Sequence, residues 1–299
     1  MAASGNFAFN NPVFQEQQRP GLTPPAAQTA YSTASHQAAD AAANAQLEGM
    51  YAAPAAGSTN TGRMTVEDTV IKTAGLFGIL LVTALVGWFW TLGGTLDATA
   101  PNGLSMMPWI IGALVGFVLA LVITFTSRKK VRPGLVWAYA AAEGLFVGGI
   151  SAFFEVVWSG IVIQASIATL AVVGVTLALF ANGKVRVSKK ANKIFLIAMG
   201  GYLVFGLVNL VLMWTGAIDG NFGLYSAEIA GIPLGLIIGV LVVIMAAYSL
   251  VQDFDLVQQG ARNGAPREFG WIGAFGIMVT IVWLYVEILR MIAILRGSD

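Results

Sequence analysis

Cysteine is missing altogether from this chain, and histidine occurs once, at His36. The first absence excludes disulfides, thiol nucleophiles and Cys-ligated metals. The second leaves no His-based triad, zinc site or haem ligation, since His36 stands in a polar stretch well away from any apolar run. Charge is also scarce. Asp, Glu, Lys and Arg make up 10% of the 299 residues, where a soluble domain carries about 25%. The usual catalytic and cofactor signatures are missing as well: no phosphate-binding GxxxxGK[ST], no GxGxxG after a strand, no HExxH, no GxSxG. The basic loops have no interleaved aromatics, so nucleic acid is not an expected partner. These absences point away from an enzyme and from a resident cofactor.

What the chain has in abundance is apolar sequence: 57% of it is hydrophobic. Residues 1–68 are the exception, rich in Ala, Gln, Asn, Ser, Thr, Gly and Pro. Such a stretch buries too little apolar surface to order itself, so a disordered cytoplasmic tail is expected there. Within it, "NFAFNNPVF" offers Phe7, Phe9 and Phe14 as a small sticky patch. From Ile71 on, seven apolar runs reach the roughly 20 residues needed to cross hydrocarbon. They are approximately Ile71–Leu92, Pro108–Thr126, Gly134–Phe154, Ile161–Ala181, Ile194–Thr215, Ile229–Val251 and Trp271–Leu295. The expected fold is therefore all-α, a polytopic bundle of seven transmembrane helices over 69–299. Thr65 with Asp68 three residues on resembles a capping box at its start.

Lys and Arg set the orientation. Alternate loops carry them: Arg128, Lys129, Lys130 and Arg132; five between Lys184 and Lys193; then Arg262 and Arg267. The intervening loops carry only acids, Asp97, Glu155, Asp219 and Glu228. The pattern places the N-terminus in the cytoplasm and the C-terminus outside, in the plasma membrane. Arg296 on the outer tail dissents, and a six-span alternative with a re-entrant last segment would bring it inside.

The candidate site residues are the charges within the runs. "VWLYVEILRMIAIL" places Glu287 and Arg290 three residues apart on one helical face. Glu143 lies mid-run in "WAYAAAEGLFVGGISAFF", and Asp253 and Asp255 close the sixth run in "YSLVQDFDLVQQG". A charge near the bilayer centre costs about 2.5–3.5 kcal/mol on insertion scales and commonly marks an ion or proton path. Its bland alternative is a structural lock, Glu287 with Arg290 or Glu143 with Arg290. Gly144, Gly148 and Gly149, and Gly231, Gly235 and Gly239 at four-residue spacing, read as close-packing faces rather than ligand sites. Pro233 reads as a kink in the sixth span. Trp88, Trp90, Trp109, Trp158, Trp214 and Trp271 near the span ends read as interfacial belts.

These segments, taken in order, resemble a known family. "VWLYVEILRMIAIL" looks like the last-helix signature of the Bax inhibitor-like (TMBIM, transmembrane Bax inhibitor motif) family. "YSLVQDFDLV" is similar to its sixth-helix segment, and "YAAAEGLFVGGISAFF" to its third span. The long polar tail, with "MTVEDTVIKTAGLF", looks like the actinobacterial-type branch of bacterial members. The resemblance covers about residues 64–296. It implies a pH-sensitive calcium leak, with calcium as the permeant or bound ion. It also implies a carboxylate pair at the closed pore, carried over to Asp253 and Glu287 as the calcium-facing residues. Two close carboxylates share a proton, and deprotonation or a bound Ca²⁺ would separate or bridge them. Two departures stand out. Glu replaces Asp at 287, and Arg290 replaces the family's Asn, so that a fixed cation sits beside Glu287. Asp253 would also lie too shallow to meet Glu287 unless the sixth helix runs on to about Gln259. The alternative is a Glu287–Arg290–Glu143 cluster, with Asp253 or Asp255 closing the cytoplasmic side. Two other functions stay open: a non-transporting regulator of a membrane-bound AAA protease or other membrane partner, and a proton-coupled transporter using Glu143 and Glu287.

Overall fold

The computed structural model describes residues 62–127, 130–218 and 222–297. Most of the tail, including Phe7, Phe9 and Phe14, lies outside the described residues. Among those described, seven helices are long and apolar enough to cross a membrane. They are α1 (Val66–Thr91), α2 (Met107–Thr126), α3 (Pro133–Val157), α4 (Ile161–Ala181), α5 (Lys189–Trp214), α6 (Leu234–Arg262) and α7 (Gly270–Gly297). A helix satisfies its own backbone, which is why apolar runs of this length take that form in lipid.

The helix starts follow from local chemistry. Thr65 caps α1, its hydroxyl accepting from the Asp68 amide at 3.1 Å. The reciprocal half of the expected box is not made, because the Asp68 carboxylate turns to Lys72 and Arg267 instead. Ser188 caps α5 by accepting from the Ala191 amide. Lys189, Lys190 and Lys193 therefore ride on the first turns of α5 instead of in a loop, where long side chains can still snorkel to water. Glu155 belongs to α3, yet it caps α4: its carboxylate accepts from the Gly160 and Val162 amides at 2.6 and 3.0 Å. An acid at a helix N-terminus meets the positive end of the dipole.

Helices α3 and α7 are central, with half of each apolar window buried. One core layer joins α1, α3 and α7 through Leu76, Leu80, Val136, Tyr139, Ala274 and Met278. Another joins α3, α4, α6 and α7 through Ile150, Ile161, Ala165, Ala246, Leu284 and Leu289. Glycines let α1, α2 and α3 close on one another. A Cβ on Gly148 would run into the Ala84 carbonyl, one on Gly87 would stand 2.7 Å from the Leu145 carbonyl, and one on Gly149 would stand 2.7 Å from the Trp109 amide. The packing role expected of Gly144, Gly148 and Gly149 is thus what the structure contains.

The sixth span differs from its expected form at both ends. Before it, β1 (Glu228–Ile229) and β2 (Ile232–Pro233) make a small antiparallel hairpin. Its turn residues, Ala230 and Gly231, have φ of 55° and 78°, the positive pair that a two-residue hairpin turn of type I′ demands. Gly231 therefore serves the turn and not the packing face, and Pro233 precedes α6 instead of kinking it. Gly235 and Gly239 do pack, against Ile294 and Met291 of α7. At the other end, α6 continues through Asp253 and Asp255 to Arg262. The expected loop over 252–270 shrinks to a short connection with a 3₁₀ turn at Arg267–Phe269.

The last helix crosses fully. Arg296 donates to the Ser159 carbonyl at 2.8 Å and to Gln164 Oε1 at 3.0 Å, so α7 ends at the level of the turn between α3 and α4. Seven crossings, not six with a re-entrant segment, give the bundle a basic end and an acidic end.

Candidate functional site

The charges within the helices fall into three separate settings. The first surrounds Glu287. It is 3% exposed and forms an ion pair with Arg290 one turn later. Its other oxygen accepts from the Tyr202 hydroxyl of α5 at 3.2 Å. Arg290 in turn lies over the Tyr225 ring, 3.8 Å from its centroid. Its Nε and Nη1 have no hydrogen-bond partner among the described residues, so the aromatic face supplies the rest of its stabilisation. Glu287 and Arg290 thus share one face, as their spacing predicts. Tyr202 and Tyr225 complete the cluster.

The second setting surrounds Asp253, on the α6 face that meets α7. Its Oδ2 accepts from the Thr280 hydroxyl at 2.6 Å, and Thr280 approaches Ser249 at 3.4 Å. Gly276 leaves the room: a Cβ there would stand 3.0 Å from Asp253 Oδ1. Thr280 is ten residues into α7, or roughly 15 Å from its start. The run-on of α6 therefore carries Asp253 well below the basic end. A cleft of 300 Å³ between α6 and α7 reaches it, lined also by Met64, Val257, Gly260, Phe269 and Gly273. No ion pair involves Asp253 among the described residues; its partner is a neutral hydroxyl. Asp255 is apart from this, bonded to Gln259 at 2.5 Å one turn along α6.

The third setting surrounds Glu143 on α3. It faces Gly116 of α2, where a Cβ would stand 3.1 Å from Glu143 Oε2, and it interacts with the Tyr139 hydroxyl one turn earlier. The expected Glu143–Arg290 pairing is not among the ion pairs of the described residues.

A family model described as Bax inhibitor 1 like matches residues 11–297, nearly the whole chain. The chain belongs to the Bax inhibitor 1 like family. No curated protein matches it. As a Bax inhibitor-like membrane protein it departs from the pairing that its relatives' resemblance implied. Glu287 lies seven residues past Thr280, roughly 10 Å further along α7, so Asp253 and Glu287 are not in contact here. No group of three or more acidic side chains close enough to hold a metal occurs among the described residues.

A fourth charged cluster was not singled out from the sequence. At the basic end, Asp68 pairs with Lys72 at 2.5 Å and with Arg267 at 2.9 Å. Lys72 also donates to the Arg267 carbonyl at 2.7 Å and lies over the Trp271 ring. The Met64 amide donates to Ala265, and Arg267 to Gly62. The i,i+4 spacing of Asp68 and Lys72 inside "VEDTVIK" was the available signal. The acidic end is less open to cations than its formal charge suggests. Besides the Glu155 cap, Asp97 accepts from the Thr99 hydroxyl at 2.6 Å and its amide at 2.9 Å, bonds that hold its carboxyl below the usual range.

Proposed function

We propose that this Bax inhibitor-like protein is a pH-sensitive cation leak of the plasma membrane, with calcium as the permeant ion. Asp253 is the titrating group, and Glu287–Arg290 is a structural lock. The observation that carries this is the setting of Asp253. A carboxylate held deep between two helices, without a cationic partner, must take a proton or a passing cation to offset its desolvation. The cleft from the basic end gives both a route to it. Glu287 has no such need, because Arg290 already compensates it. Protons and Ca²⁺ compete for a carboxylate, so cation occupancy rises with pH. Calcium flux into proteoliposomes is therefore expected to rise with pH, without saturating like a carrier and without dependence on a proton gradient. Asp253→Asn is expected to flatten the pH profile, because Asn keeps the size but cannot change charge. Saturable flux driven by a proton gradient would instead favour the transporter reading.

In the same reading the basic end faces the cytoplasm, following the Lys and Arg distribution. The Cys-free chain makes this directly testable. A single Cys at Ser188 should be labelled only after the membrane is permeabilised, and labelling of intact cells would reverse the orientation.

A further inference from the structure

Near the basic end, a second cleft opens sideways between α1, α4, α6 and α7. Its volume is 390 Å³, within the roughly 300–1,000 Å³ of small-ligand pockets. Val70, Ala74, Phe77, Leu177, Phe180 and Ile281 are among the apolar residues of its wall. On α1 the lining runs from Val66 to Phe77, roughly 16 Å of helix, so the cleft is long and runs with the helices. Thr69 and Thr73 also line it, but their hydroxyls donate to the Thr65 and Thr69 carbonyls of their own helix at 2.9 Å. Both hydroxyl protons are thus spent on α1 itself, and Gln258 of α6 is the one other polar side chain in the lining, so the wall suits an apolar body. Val70 and Leu177 are 59% and 48% exposed, which leaves the cleft open towards the surrounding hydrocarbon.

The mouth has a different chemistry. Phe180 closes the end of the cleft and packs against Phe254 of α6 at 5.6 Å. Over its ring lies the Arg186 guanidinium, 5.7 Å from the centroid. Arg186 and Lys184 are both exposed, and neither forms an ion pair among the described residues. Two of the acids at this end are already engaged, Asp68 by Lys72 and Arg267 and Asp255 by Gln259, and Glu67 is exposed to solvent. An apolar slot parallel to the helices, with a cation at its mouth, matches one molecule with an acyl chain and an anionic head.

We infer that this cleft is a binding site for an anionic phospholipid, one acyl chain lying between α1, α4, α6 and α7 and the phosphate held at Arg186. The Asp253 cleft is its neighbour: Val257 lines both, but Asp253 itself lines only the other.

Native mass spectrometry of the full chain, titrated with phosphatidylglycerol or phosphatidylcholine in detergent, tests it. The wild type should retain one phosphatidylglycerol at several-fold lower lipid concentration than phosphatidylcholine. Arg186→Gln should reduce that preference roughly fivefold, the weight of one basic residue at a lipid headgroup. Ala74→Trp, which fills the slot and leaves the mouth intact, should reduce retention of both lipids. Thermal unfolding of each variant in lipid-free detergent should match the wild type, which separates lost binding from lost folding. Equal retention of the two lipids by the wild type would overturn the assignment. So would an unchanged phosphatidylglycerol preference in Arg186→Gln, or unchanged retention in a folded Ala74→Trp protein.

Discussion

The first three helices and the fifth are held in this bundle by different means. Helices α1, α2 and α3 meet through glycines, so close that added methyl groups would collide with backbone across the interface. Helix α5 is the opposite. Only 6% of its apolar window is buried, its one buried residue is Asn209, and a Cβ on Gly200, Gly201 or Gly206 would meet nothing within 4 Å. Polar tethers hold it: Tyr202 to Glu287, Asn192 to Tyr248, and Asn209 to the Leu224 amide at 2.6 Å and the Phe222 carbonyl. In hydrocarbon, apolar faces gain nothing by leaving lipid for one another, so helices associate through close packing or polar bonds. The first three helices use the former and α5 the latter. A packed glycine seam has one arrangement. Individual hydrogen bonds can be exchanged, so α5 is the helix suited to move.

The sharpest way to break this contrast is to remove one member of the Glu287 cluster. Arg290→Gln leaves Glu287 buried without its cation, at a cost of about 3–5 kcal/mol by comparison with buried pairs in soluble proteins. Unfolding in detergent should detect it. The double change with Glu287→Gln should recover most of the loss, and a double variant as unstable as the single would show that the pair is not a lock. Next in size is the glycine seam. Gly148→Ala drives a methyl group into the Ala84 carbonyl, and overpacking of this kind costs about 1–3 kcal/mol. Gly201→Ala on α5, tested beside it, should be close to neutral. Equal effects at the two positions would erase the distinction between the seam and α5. Smallest is Tyr202→Phe, which removes one hydrogen bond to a charged acceptor; its long 3.2 Å geometry puts the loss near the lower end for such bonds, at most about 1.5 kcal/mol. Its clearer sign should be faster hydrogen exchange along α5 alone.

The glycine seam was the more legible in sequence. Gly144, Gly148 and Gly149 stand in an apolar run where small residues have little else to do, and long runs fix helix number because lipid admits few other forms. Glu287 and Arg290 were legible for the same local reason, three residues on one helix. What sequence could not supply was partnership between helices. Tyr202, Thr280 and Tyr225 are unremarkable in their own segments and gain meaning only from α5, α6 and α7 meeting. The depth of Asp253 was hidden too, because hydropathy falls at "QDFDLVQQG" although the helix does not stop there. Lys72 was absorbed into an apolar run, and its partner Arg267 lies almost two hundred residues away.

The central claim is that the carboxylate without a cation titrates and the one with a cation locks. Calcium flux across pH in one proteoliposome preparation compares them directly, using Asp253→Asn beside the double variant Glu287→Gln with Arg290→Gln. The account predicts a flat pH profile for Asp253→Asn and a wild-type slope for the folded double variant. A wild-type slope in Asp253→Asn, with the slope lost in the double variant, would contradict it.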